Sequence, residues 1–172
     1  MYSIEAALSL GSNLGDRLAH LRAARDAIAQ IPEVRVNASA PLYETEPVGC
    51  APEDADKPYY NTILLLGTSL EVHPLFKALQ QVEAALGRKR TPGRRNEPRP
   101  IDIDLIYYDG QTIRSGGLVV PHPRWILRRF VLQPLADLRP RLVLPGHDRP
   151  VQAILAALPL STQPVTLVMQ SW

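Results

Sequence analysis

The chain has 172 residues, a formal net charge of +2 and a single cysteine, Cys50. That length suits one domain, spanning 1–172, with a core of its own. The near-neutral balance gives no whole-chain argument for binding nucleic acid, and the lone cysteine excludes an intramolecular disulfide and fits a reducing compartment. No apolar run is long enough to span a bilayer, and residues 1–5 lack the start of a signal peptide, so a cytoplasmic protein is expected.

Residues 4–10 read as a first strand ending at Gly11. Residues 12–16 form a tight loop with helix-start character, in which Ser12 and Asn13 are the expected caps. From Arg17, Leu18, Leu21, Ala24, Ile28 and Ile31 recur at helical spacing until Pro32. Val34, Val36, Ala38 and Ala40 alternate as a second strand running toward Tyr43. Residues 46–58, rich in Pro and Asp, read as a long mobile loop, and a loop of that length is often kept for function. Residues 59–69 form a third strand. Leu75, Leu79, Val82 and Leu86 mark a second helix, with Pro74 in its first turn and Gly87 at its C-cap.

A basic loop follows, carrying Arg88, Lys89, Arg90, Arg94, Arg95 and Arg99, and then a fourth strand that turns at Asp109-Gly110. The order β-α-β-β-α-β is the ferredoxin-like arrangement, so an α+β fold is expected. Additional C-terminal helices and strands complete it: a short strand at Thr112-Ile113, helix within 125–138, an extended piece at 142–144, a helix over 151–158 and a strand over 165–169.

The fourth strand is the most informative segment. Asp102 and Asp104 alternate with Ile101, Ile103 and Leu105. Side chains two apart share a strand face, so the carboxylates point one way and the aliphatics into a core. Two adjacent carboxylates repel, and a hard divalent cation relieves that conflict; oxygen-only ligation favours Mg²⁺ or Ca²⁺ over Zn²⁺. Arginines beside such a pair supply what a nucleotide triphosphate with its Mg²⁺ requires. A merely wet sheet face and a solvated basic loop are the plainer alternatives for the same residues.

Five motifs, in order, closely resemble the 6-hydroxymethyl-7,8-dihydropterin pyrophosphokinase family of folate biosynthesis. They are Leu10-Gly11-Ser12-Asn13-Leu14-Gly15, Tyr43-Glu44-Thr45-Glu46-Pro47-Val48-Gly49 with Tyr59-Tyr60-Asn61, Pro98-Arg99-Pro100-Ile101-Asp102-Ile103-Asp104-Leu105-Ile106, Val120-Pro121-His122-Pro123, and Arg128-Arg129-Phe130-Val131-Leu132-Gln133-Pro134-Leu135. The resemblance implies a ferredoxin-like fold and transfer of pyrophosphate from ATP to the pterin hydroxymethyl group, leaving AMP. It implies two Mg²⁺ ions on Asp102 and Asp104, with Arg99 and Arg90 as further catalytic residues. It places Gln80, Glu83, Arg88, Arg90, Arg99, His122 and Arg128 on the nucleotide, and Thr45, Val48, Tyr59, Asn61 and Phe130 on the pterin. A reduced pterin and ATP are the expected partners, with no nucleic acid and no membrane, and nothing demands more than a monomer.

Asn96 and Glu97 replace the bulky aromatic and glycine that many relatives carry before the signature Pro-Arg. Pro123 stands where many have a polar or aromatic residue, and Gly117 where some have arginine. Three rivals follow: a nucleic-acid-binding ferredoxin-like module, a catalytically dead relative used in assembly, and a Mg-dependent phosphotransferase with another acceptor. The carboxylate pair, which repels a phosphate backbone, argues against the first.

Overall fold

The computed structural model describes residues 4–47, 51–88, 97–159, 161 and 163–172. Val48, Cys50, Lys89, Arg90, Arg94, Arg95 and Asn96 lie outside the described residues.

Strand β1 (Ile4–Ser12) leads through a tight loop to helix α1 (Arg17–Ala29). The cap of α1 is Asp16, whose carboxylate accepts the Ala19 N–H at 3.0 Å. Ser12 and Asn13 therefore do not cap it. Strands β2 (Val34–Ser39) and β3 (Leu42–Thr45) follow, then a 3-10 turn at Pro52–Asp54, β4 (Tyr59–Thr68) and α2 (Val72–Ala85). The expected second strand is thus two, both antiparallel to β4, and the break falls at Ala40-Pro41. Pro41 has no N–H to give a ladder, and the Thr62 hydroxyl donates there to the Ala40 and Pro41 carbonyls at 3.0 and 3.2 Å.

After α2 come β5 (Asp102–Tyr108), the hairpin β6 (Ile113–Ser115) and β7 (Leu118–Val120), a 3-10 turn at Trp125–Leu127, α3 (Arg129–Leu138), α4 (Val151–Ala157) and β8 (Val165–Met169). Gly116 and Gly117 form the two-residue hairpin turn, with φ of +59° and +77°. Left-handed backbone at both positions favours glycine, which accounts for Gly117 where an arginine would be strained. The expected extended piece at 142–144 pairs with no strand; the Leu142 carbonyl instead accepts the Val151 N–H at 2.9 Å.

The sheet runs β5-β1-β4-β3-β8, with β2 also on β4. The first four strands keep the ferredoxin-like order, and β8 extends the edge. One face carries Leu8, Leu10, Leu64, Leu66, Ile103 and Leu105 against Leu21 and Ile28 of α1 and Leu75 and Leu79 of α2. The other carries Ala7, Ile63, Leu65 and Ile106 against Val131, Leu132 and Leu135 of α3 and Val151 of α4. Each fully buried leucine or isoleucine contributes about 1.5–3 kcal/mol, so both faces are strongly committed. The register then dictates the site. Gly11 lies opposite Asp102 and Asn61, and Ser9 opposite Asp104. Opposed residues share a face, so these side chains continue the α3 face of the sheet to the end that α3 leaves uncovered.

Candidate active site

That uncovered end is a cavity of about 500 Å³. Asp102, Asp104, Arg88, Arg99, Arg128, Thr45, Tyr59, Asn61 and Phe130 line it, along with Ser9, Gly11, Glu46, Pro47, Arg124, Leu127 and Gln163.

Charge is concentrated at the β5 side. Arg88 Nη1 lies 2.6 Å from Asp102 Oδ1, and Arg99 Nη1 lies 3.2 Å from Asp102 Oδ2. Arg128 Nη1 lies 3.3 Å from Asp104 Oδ2. Burial, and next the charge of Asp104, pushes the Asp102 carboxyl above the usual carboxylate range, while Arg88, Arg99 and Arg128 pull it back. Asp102 Oδ1 is buried, and although Arg88 is at ion-pair distance it has no well-aligned hydrogen bond among the described residues.

Arg88 is set by its local backbone and Arg99 by a distant side chain. Gly87, at φ +86°, ends α2 in a Schellman turn: the Gly87 N–H donates to the Ala84 carbonyl and the Arg88 N–H to the Glu83 carbonyl, at 3.1 and 3.0 Å. Arg88 leaves that turn toward Asp102 and also pairs with Glu83. Arg99 is gripped by Asn13, whose Oδ1 accepts the Arg99 N–H at 2.8 Å and whose own N–H donates to the Arg99 carbonyl at 3.3 Å.

A bulge positions His122. Between Leu105 and Tyr107, β5 has one residue more than β1, so the carbonyl of Ile106 is free to accept the His122 N–H at 2.8 Å. The Arg124 N–H donates to His122 Nδ1 at 3.1 Å. Burial first, then Arg128 and Arg124 against the pull of Asp104, holds the imidazole below its usual range. A neutral ring accepting at Nδ1 carries its proton on Nε2. That atom is 3.7 Å from Asp104 Oδ2, too long for a hydrogen bond.

Glu46 apart, the other side of the cavity is lined by uncharged side chains. Asn61, only 4% exposed, donates from Nδ2 to Thr45 Oγ1 at 2.7 Å, which fixes the amide plane and leaves its oxygen toward Gly11. A Cβ at Gly11 would stand 3.1 Å from that oxygen and 3.5 Å from the Tyr59 ring, so the glycine lets β1 run under both groups. Phe130, at the start of α3, holds its ring 5.4 Å from the Arg128 guanidinium.

The structure thus gathers nine of the expected residues at one cavity. Glu83 and Gln80 are not on its wall. Glu83 is 4% exposed behind Arg88 and accepts the Ile103 N–H at 2.6 Å; Gln80 is exposed on α2. His122 stands just behind Asp104. Val48 and Arg90 fall outside the described residues. Sequence reasoning missed Ser9, Arg124, Leu127 and Gln163; only Ser9 had a signal, its alternation with Gly11 on β1.

A hard cation fits this donor set. Two carboxylates share one face, and among the described residues one has a buried oxygen without a well-aligned hydrogen bond and there is no cluster of three or more His, Cys, Asp or Glu. Such a site leaves most coordination positions to water or phosphate, as Mg²⁺ prefers.

The model of the 7,8-dihydro-6-hydroxymethylpterin-pyrophosphokinase family matches residues 7–140. The chain is 42% identical over 154 residues to the 2-amino-4-hydroxy-6-hydroxymethyldihydropteridine pyrophosphokinase of Methylorubrum extorquens, covering 89% of this chain and 92% of that one. It is 40% identical over 153 residues to the Pseudomonas aeruginosa protein of the same name, covering 88% and 90%. A crystal structure of Plasmodium falciparum HPPK-DHPS superposes with a TM-score of 0.70 at 12% identity, covering 89% of this chain and 43% of that one, a likeness of fold. Fold and relatives together define a transferase. The chain belongs to the 7,8-dihydro-6-hydroxymethylpterin-pyrophosphokinase family.

Proposed function

We propose that this protein transfers the pyrophosphoryl group of ATP to 6-hydroxymethyl-7,8-dihydropterin, producing AMP and the pterin diphosphate for folate synthesis. The single observation that carries the reading is the cavity itself. It sets a carboxylate pair ringed by arginines against a wall of Asn61, Thr45, Tyr59 and Phe130. The first half suits a polyphosphate with its counter-ion, and the second a flat polar heterocycle.

In the reaction the hydroxymethyl oxygen attacks the β-phosphorus, the bond from that phosphorus to the α,β-bridging oxygen breaks, and AMP leaves with the oxygen. The hydroxyl proton passes to water. Arg88, Arg99 and Arg128 exchange carboxylate for phosphate oxygens and hold the chain of phosphates in line. His122 adds a neutral donor at Nε2. Phe130 and Tyr59 stack on the pterin, and Asn61 and Thr45 read its edge. Glu83 acts as a positioning residue through Arg88. Gln80, off the cavity wall, has no step. Arg90 and Val48 keep the phosphate and pterin contacts that the resemblance implies.

Asp102 and Asp104 would hold Mg²⁺, with two ions expected. When bound, Mg²⁺ supplies neutralisation of the triphosphate and of charge developing on the leaving group. A monomer is proposed, and no helix among the described residues is long and apolar enough to cross a membrane. A cytoplasmic setting is proposed.

The test is a mixture of protein, ATP, Mg²⁺ and the reduced pterin. AMP in equal amount to pterin diphosphate is expected; ADP would indicate γ-phosphoryl transfer and overturn the reading. Turnover that survives complete chelation would overturn the metal part alone.

A further inference from the structure

The family match ends at residue 140, yet the cavity wall continues beyond it. Gln163 lines the cavity, and its Oε1 is buried with no hydrogen-bond partner among the described residues. A buried amide oxygen left unpaired is costly, so one that faces a cavity points to a donor arriving with the ligand. The backbone at Gln163 adds to this. Its φ of +53° is left-handed, an uncommon state for glutamine that persists where surrounding structure imposes it.

Two anchors flank it. On the C-terminal side, β8 pairs with β3, and Val165 stands opposite Thr45. Continued antiparallel, that register carries Gln163 toward Pro47, another lining residue. On the N-terminal side, Arg129 Nη2 donates to the Leu158 carbonyl at 2.7 Å and to the Pro159 carbonyl at 3.2 Å. Arg129 is itself only 7% exposed and immediately precedes Phe130. The segment bearing Gln163 is therefore tied to Thr45 at one end and to the neighbour of Phe130 at the other. Both ties lead to the side of the cavity that Thr45 and Phe130 line.

We propose that Gln163 is a specificity-determining residue for the heterocyclic substrate, its Oε1 accepting a hydrogen bond from a ring N–H or exocyclic amine. The assignment rests on the proposed function above and adds an edge-reading group from outside the matched part of the chain.

Gln163→Met keeps the side-chain length and removes the acceptor. Calorimetry with a non-hydrolysable ATP analogue and Mg²⁺ present should give a pterin Kd raised about tenfold in the variant, with the Kd of the ATP analogue unmoved. Gln163→Gly, which relieves the left-handed backbone as it removes the acceptor, should show the same selective loss. An active parent with unaltered pterin affinity in both variants overturns the assignment to Gln163 alone. Equal loss of both ligands with a lowered melting temperature makes Gln163 a packing residue and also overturns it. A parent that forms no AMP sinks the underlying reading instead.

Discussion

Asn13 and Arg99 grip one another through two reciprocal hydrogen bonds, although 86 residues separate them. Asn13 Nδ2 also donates to the Lys57 carbonyl at 3.3 Å, so one side chain joins the end of β1, the loop before β4 and the loop before β5. It is 6% exposed, and its truncation leaves half-buried backbone groups of Arg99 and Lys57 without their partner. Asn13→Ala should cost about 1–2 kcal/mol of stability and raise the ATP KM several-fold through Arg99. Denaturant midpoints and steady-state kinetics check this; an unchanged KM would remove Asn13 from the positioning of Arg99.

Asp102→Asn and Asp104→Asn should each lower AMP formation at least about a hundredfold at saturating Mg²⁺. Their stability should stay within about 1 kcal/mol of the parent, because the lost ion pairs are offset by relief of the repulsion between the two carboxylates. Equal turnover in variant and parent would refute the metal assignment.

Phe130→Ala should weaken pterin binding about tenfold or more while the ATP analogue binds as before. Calorimetry on each ligand separates the two effects, and pterin affinity at the parental level would exclude stacking on this ring.

Acid stability provides a test far from the cavity. Glu5 accepts from the Tyr107 hydroxyl at 2.6 Å and from Arg139 Nη2 at 2.6 Å. Burial opposes ionisation of Glu5, but these partners outweigh it and hold the carboxyl below the usual glutamate range. A carboxyl whose folded pKa is depressed stabilises above the unfolded pKa, and that stability is lost as pH falls through the folded value. Arg139 and Glu5 are partly open to solvent, so the effect is small, about 0.5–1 kcal/mol. Between about pH 5 and pH 3 the parent should therefore lose more stability than Glu5→Gln. Parallel unfolding curves over that range would show that the cluster carries no proton-linked stability.

Period and turn chemistry made the ferredoxin-like core legible, because the apolar positions of β1, α1, β4 and α2 repeat within each element. The carboxylate pair was legible for the same reason: two residues apart on a strand means one face. What stayed hidden depends on distant partners. Nothing local to Asn13 marks it as a brace rather than a cap, since its partners are Arg99 and Lys57. The break at Pro41 shows only once both halves compete for β4. Gln163 and Arg124 reach the cavity through the register of β8 and the turn after β7, and short Pro-rich segments carry little periodicity to predict either. Gly117 looked like a lost arginine until the hairpin turn required its backbone.

Asp102 with Arg88 and Arg99, Asp104 with Arg128, and Glu83 behind Arg88 set three carboxylates against three guanidiniums, so the cavity floor is internally neutralised. A guest bearing one sign of charge must strand whatever it displaces: free phosphate abandons the carboxylates, and a bare divalent cation abandons the guanidiniums. A nucleotide that arrives with its own counter-cation substitutes for both halves of every couple at once. The pocket is thereby a filter against single-signed ions, and inorganic phosphate should compete poorly for it even when abundant.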